Sequence, residues 1–487
     1  MRPITTLTFT DLKYYHILLG CFCLIVCLLS IFTVCKYPGH KIVYVVFTII
    51  LNALFIFGFT KNRIFFDTFI GIFFWLGFWL KFSVRVAFMR GEFFEHIGQF
   101  SGTGAAFDRA LAVSACGVGA LLIARFVRRR FFFTYAKAGT QPRHESTFIF
   151  YQRRRTIILA VFSCIILIVP IANAVFGIYQ RGFVPRTFLP FGLSGVYTWL
   201  LLFGMASGSA VILDCEFRRT NNPYLASFIA IFECFASNAS MLSRGMILNG
   251  GALIIGGLDN IRRRFVTLNL LYKALILIVF GVLFVSSVFV INHLRGYIYS
   301  RLSSGTVDFS SFSNVYSNTR KLMIIDRWVG IEGVMAVSSY PDLGWDLWKR
   351  AWRESFSNSG TSMYDLTFIE SSYLNMDKSK HHFVSLPGIL AFFFYPGSYV
   401  FLFICMLFLG LLGAVIEMFV YRLGGANIIL CSLLAQVVAY RYAHFGYAPN
   451  QSYLLFGSVF LNVLIIFLLN KFLSSLDEKR CKKQIGT

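Results

Sequence analysis

Apolar and polar positions alternate along this chain in long blocks, not in short periods. Apolar runs lie near residues 16–35, 42–60, 64–82, 107–124, 156–180, 188–213, 224–243, 245–258, 268–291, 396–420, 426–443 and 452–470. A helix that crosses the hydrocarbon core of a bilayer needs about 20 such residues. The blocks therefore predict an all-α integral membrane protein with about 12 transmembrane helices. The run at 245–258 is short and glycine-rich, and least resembles a span. The first run follows Arg2 and Lys13 as a signal peptide would. It is longer than a usual signal core and no A-x-A site follows, so it is expected to be a retained helix.

The polar blocks between the runs orient the chain. Segment 125–155 carries Arg125, Arg128, Arg129, Arg130, Lys137, Arg143, Arg153, Arg154 and Arg155 against a single acid, Glu145. Such clusters stay in the cytoplasm. Counting outward, Lys61–Arg63, Arg218–Arg219, Arg262–Arg264, Arg422 and Lys479–Lys483 fall on the same side, and both termini are expected there too. The opposite side then receives 36–41, 83–106, 181–187, a tight bend at 243–245, the long segment 292–385, and 444–451. That divides the chain into helices 1–9 over 1–291, a large outer loop over 292–385, and a re-entrant approach with the last three helices over 386–487.

Composition agrees. Of the 487 residues, 57% are hydrophobic and 14% charged, against roughly 25% charged in soluble domains. The net charge of +23 would suggest nucleic acid as a partner in a soluble protein. Here it sits in short loops, where it sets orientation and attracts anionic lipid headgroups, and no nucleic-acid partner is expected. The 11 cysteines are scattered and none lies in 292–385, so neither a disulfide framework nor a metal site is expected. No P-loop, Rossmann fingerprint or HExxH occurs.

The long outer segment holds ten Lys or Arg, nine Asp or Glu and many aromatics. Loops beyond about 12–15 residues are usually functional or disordered, and this balanced, aromatic composition argues for order. Within it, Asp326-Arg327-Trp328-Val329-Gly330-Ile331-Glu332-Gly333 offers an arginine for phosphate and a carboxylate, Glu332, for orienting a hydroxyl; an ordinary ion pair is the alternative. Trp345, Trp348 and Trp352 stand at i, i+3 and i+7, on one helix face beside Lys349, Arg350 and Arg353. This reads as an amphipathic helix in the headgroup region, with sugar stacking as the other use. His381-His382, followed by Leu386-Pro387-Gly388 and Tyr395-Pro396-Gly397, places a potential base beside broken backbone. Elsewhere, Ser237–Gly245 leads small polar residues to Arg244 at the outer mouth, with Glu233 half-way down that span. Tyr440–Tyr447 places Arg441 and His444 at the end of another span. Ionisable groups within a membrane are costly and mark candidate sites.

On Ser243-Arg244-Gly245, on the stretch from Arg327 to Pro341 (RWVGIEGVMAVSSYP), on Leu386-Pro387-Gly388 and on Phe394–Ser398, with a long outer loop between late helices, the chain resembles bacterial O-antigen polymerases of the Wzy type. The resemblance implies a membrane C-type glycosyltransferase-like fold in the bacterial inner membrane. It implies transfer of a growing glycan from undecaprenyl diphosphate to a new lipid-linked repeat unit, with undecaprenyl diphosphate as leaving group and no cofactor or metal. A chain-length regulator is a further partner it allows. Arg244 and Arg327 would neutralise the diphosphate, Glu332, His381 or His382 would take the hydroxyl proton, and Arg441, His444, Trp345, Trp348 and Trp352 would contact substrate. The outer loop would then act as a lid. O-antigen ligases, which pair an outer arginine with a loop histidine, and lipid-linked oligosaccharide flippases are the alternatives.

Overall fold

A computed structural model describes residues 9–60, 63–93, 97–135, 144–219, 223–243, 245–264, 270–302, 323–326, 328–354, 362–369, 385–444 and 449–485. The described residues are helical, with no strand among them. Among the described residues, seven helices are long and apolar enough to cross a membrane: Lys41–Gly58, Phe65–Phe88, Gly104–Phe131, Glu145–Phe176, Leu193–Arg219, Tyr399–Leu423 and Ser452–Leu476. Shorter apolar helices lie at Gly20–Lys36, Met246–Gly257, Ile278–Ile291 and Ile428–His444. This architecture fits an α-helical membrane protein.

The helices divide into a centre and a perimeter. In Phe65–Phe88, 78% of the apolar window is buried, against 28% in Lys41–Gly58, Glu145–Phe176 and Ser452–Leu476. The perimeter helices expose Ile42, Ile49, Ile168, Val175, Leu454 and Phe472, as a lipid-facing surface requires. The central helix packs Phe66, Phe69, Phe73, Phe78 and Phe82 inward, and all are buried.

Buried charge pins the end that carries the basic segment. Asp67 accepts a hydrogen bond from Arg128 and lies 3.5 Å from Arg125. Glu417 caps the start of the central helix from a distant helix. Its two oxygens each accept a backbone N–H, from Phe65 and Phe66, at 2.8 Å, and Tyr135 donates its hydroxyl to the same carboxylate. A carboxylate here satisfies orphan amides and complements the helix dipole. Arg155 and Tyr151 hold Glu216, at 2.6 and 2.8 Å.

Two boundaries differ from those read in the sequence. The basic segment 125–155 is not all loop. Gly104–Phe131 carries Arg125–Arg130 on its last turns, and Glu145–Phe176 carries Arg153–Arg155 on its first, with a kink at Arg154. Arginines can extend a span because their stems run along apolar surface while their heads find partners. On the other side, Leu270–Leu302 continues past 291, so the outer segment begins in helix.

That segment also enters the bundle. Every residue of the short helix Ile331–Ser338 is buried, packed against Gly104–Phe131 and the short helix Ile389–Phe393. This part belongs to the core, whereas the sequence suggested a covering lid. Glycine makes the insertion possible. A Cβ on Gly330 would stand 1.8 Å from the Gly77 carbonyl oxygen, and one on Gly333 would stand 1.9 Å from that of Pro387. Backbone meets backbone at both places, and only hydrogen fits between.

Candidate site at the mouth of the bundle

The inserted segment is gripped by two cations on the central helix. Phe65–Phe88 passes through a π-helical turn at Trp75–Leu80. Such turns widen the helix and recur at functional sites. Directly after it, the fully buried Lys81 lies 2.8 Å from Glu332 Oε1 and donates to the carbonyls of Asp326 (2.9 Å) and Trp328 (2.5 Å). One turn on, Arg85 forks onto Asp326, Nε to Oδ1 at 3.1 Å and the second nitrogen to Oδ2 at 2.5 Å, and also donates to the Glu92 carbonyl. Residues four apart share a helix face, so both cations reach the same stretch. Buried charge is tolerated only when paired in this way.

Next to this clamp lies His444, in a second π-helical turn, Ala439–His444. Its ring is 1% exposed and stacks on Phe73 with centroids 5.4 Å apart. Tyr440 lies at 5.7 Å and Trp328 at 6.3 Å, within the range of aromatic contact. Neither ring nitrogen has a hydrogen-bond partner among the described residues.

Tyr440 also lines a small cleft, with Arg181, Asn238, Gly245, Asn249, Gln436 and Arg441 among its other lining residues. Its free space of about 10 Å³ holds roughly one water molecule. Local bonds shape its wall. The Arg181 amide donates to the Met241 carbonyl at 3.0 Å. Asn173 ties Tyr179 to Ser240 with bonds of 2.9 and 3.0 Å. The bend holds Leu242 at φ +52 and closes with the Ser243 amide on the Asn238 carbonyl at 2.8 Å. Two guanidinium groups, three carboxamides and a phenol, with no carboxylate among the described lining residues, offer donors to an oxyanion, since arginine forks bind phosphate oxygens in pairs.

The sequence-derived residues are distributed as follows. Arg244, Arg327, His381 and His382 lie outside the described residues. Their neighbours are placed: Gly245 lines the pocket, and Asp326 and Trp328 are in the clamp. Arg441 lines the pocket. Glu332 is in the clamp and not in the lining. His444 lies behind the wall. Trp345, Trp348 and Trp352 do share a face, with successive centroids 6.0 and 5.0 Å apart, and the first two pack on Phe401 at 4.9 and 5.1 Å. They are not part of the pocket lining. Glu233 is buried and accepts the Ser237 hydroxyl at 2.7 Å.

Sequence reading missed Lys81, Arg85, Arg181, Asn238, Asn249 and Gln436. Lys81 and Arg85 stood at the edge of an apolar run, where cations ordinarily mark a loop. Their spacing of four was the available signal.

The base of the outer segment is tied by carboxylates. Asp365 accepts the Ser362 hydroxyl at 2.6 Å and the Ser385 amide at 3.0 Å, and Glu354 accepts the Met363 amide at 2.6 Å. Burial raises the Glu354 carboxyl above its ordinary range, against the Met363 hydrogen bond, and Asp365 adds to the rise. The folded chain therefore holds this proton more tightly than the unfolded chain. Stability from this corner is greatest at acidic pH and falls as pH rises from the ordinary carboxylate value through the raised one. Glu354→Gln is expected to flatten that slope in thermal midpoints measured from about pH 4 to pH 8. An unchanged slope would refute it.

Comparison with protein families, with curated proteins and with solved structures finds no match to this chain.

Proposed function

We propose that the chain is a bacterial inner-membrane glycosyltransferase that polymerises undecaprenyl-diphosphate-linked oligosaccharide repeat units, as its resemblance to O-antigen polymerases implies. In this reading twelve helices cross the membrane in a C-type glycosyltransferase-like arrangement, both termini are cytoplasmic, and the pocket faces the periplasm. The observation that supports it best is the pocket itself. It brings Arg441, Arg181 and the glycine of the Ser243-Arg244-Gly245 bend together in one small cleft, with no carboxylate among its described lining residues, beside long apolar helices.

The acceptor hydroxyl attacks the anomeric carbon of the donor glycan. The bond from that carbon to the diphosphate oxygen breaks, and undecaprenyl diphosphate leaves. Arg441 and Arg181, with Arg244 and Arg327, balance the charge that grows on the diphosphate, acting most strongly in a pocket that excludes water. The hydroxyl proton passes to a base drawn from Glu332, His381 and His382.

The test is a reaction of purified protein with a synthetic lipid-linked repeat unit, paired with gels of lipopolysaccharide from a deletion strain. Polymer formed in vitro and single-repeat capping in the strain are expected. Loss of all capping would instead indicate a ligase or a flippase.

A further inference from the structure

Lys81 is a fully buried lysine that stands in ion-pair contact with Glu332 and donates hydrogen bonds to two backbone carbonyls, those of Asp326 and Trp328. A simple ion pair would need only Glu332. The carbonyl contacts fix the backbone on both sides of position 327, and Arg85 fixes the Asp326 side chain between them. Trp328 lies tilted against His444 with centroids 6.3 Å apart, His444 lies tilted against Tyr440 at 5.7 Å, and Tyr440 lines the pocket together with Arg441. The Gly77–Gly330 approach leaves the segment no slack toward the central helix, because a Cβ on Gly77 would meet the Val329 carbonyl oxygen at 2.1 Å.

We propose that Lys81 is a positioning residue for the pocket: by holding the 326–332 backbone it sets the Trp328–His444–Tyr440 stack, and the stack sets the wall that presents Arg441. The inference rests on the reading that this pocket takes a lipid diphosphate. Lys81 touches no substrate. It acts through three rings, and its contribution is to the geometry with which the anion is met.

The ion pair and the carbonyl grip separate in a double substitution. Lys81→Met alone and Glu332→Met alone each leave a buried charge unpaired and are expected to lower the thermal midpoint, whereas K81M/E332M removes both charges and regains most of it. The carbonyl grip stays lost in the double variant.

Full-length protein in nanodiscs is therefore titrated with a sugar-free polyprenyl diphosphate, wild type beside K81M/E332M, and backbone hydrogen exchange is followed at 439–444. The double variant is expected to bind at least about tenfold more weakly, a modest loss for a displaced binding group, and to exchange faster at 439–444, despite its recovered midpoint. Wild-type affinity together with unchanged exchange in K81M/E332M overturns the inference. Failure of the wild type to bind overturns the pocket reading instead. The exchange measurement still decides the positioning role in that case, because faster exchange supports it and unchanged exchange ends it.

Discussion

If the chain catalyses the proposed transfer, replacing Arg441 with alanine is expected to slow it by about 10²–10³-fold, the range seen when one preorganised donor to a developing oxyanion is removed. The diphosphate gains charge as the glycosyl bond breaks. Arg441 shares the cleft with Arg181, Asn249 and Gln436, and no carboxylate is among the described lining residues. The loss should fall on turnover more than on donor KM, because the charge is greatest in the transition state. Arg441→Lys should recover only part of the rate, since an ammonium keeps the charge and loses the paired fork. The measurement is steady-state product from purified variants, with the lipopolysaccharide ladder as its cellular counterpart. An Arg441→Ala enzyme that polymerises at the wild-type rate would exclude this pocket as the reaction site.

The second large effect is on stability. Asp67→Leu is expected to cost about 3–5 kcal/mol, the cost of leaving a buried partner charge uncompensated. Arg128, 1% exposed, would lose its carboxylate, and Arg125 would keep the Phe57 carbonyl and ring and the Thr60 hydroxyl. The thermal midpoint in detergent should fall on the order of 10 °C. Adding Arg128→Met should restore part of it, because the stranded charge is then gone. If Asp67→Leu melts with the wild type, the cluster adds nothing to stability.

Much of the architecture can be read directly, and the reason is the bilayer. Lipid requires long apolar helices, so runs such as 42–60, 107–124 and 396–420 are visible without knowledge of partners. The tryptophan face at 345, 348 and 352 is visible for a similar reason, since helical period alone aligns it. Partnership is what the chain conceals. Lys81 and Glu332 are 251 positions apart and each looks like a surface charge in its own neighbourhood. Arg181 lies in a short segment between apolar runs, and nothing local reveals that its amide meets the Met241 carbonyl beside the pocket. Gly330 and Gly333 read as loop glycines because nothing local reveals that other backbones lie against them. Arg441 could be found because an arginine ending an apolar run is costly enough to need a purpose.

The carboxylate of Glu417 has a bearing on how the protein is made. It caps a helix that begins at Phe65, and Lys81 and Arg85 of that helix wait for Glu332 and Asp326. During synthesis the central helix enters the membrane with bare amides at one end and unpaired cations toward the other. The cations remain so until about 240–250 further residues have been added, and the amides until about 350 have. The innermost helix is thus among the first to be synthesised and among the last to be completed. Fragments of the chain split between residues 302 and 323 should each insert poorly alone, and co-expression should let the later fragment finish the earlier one.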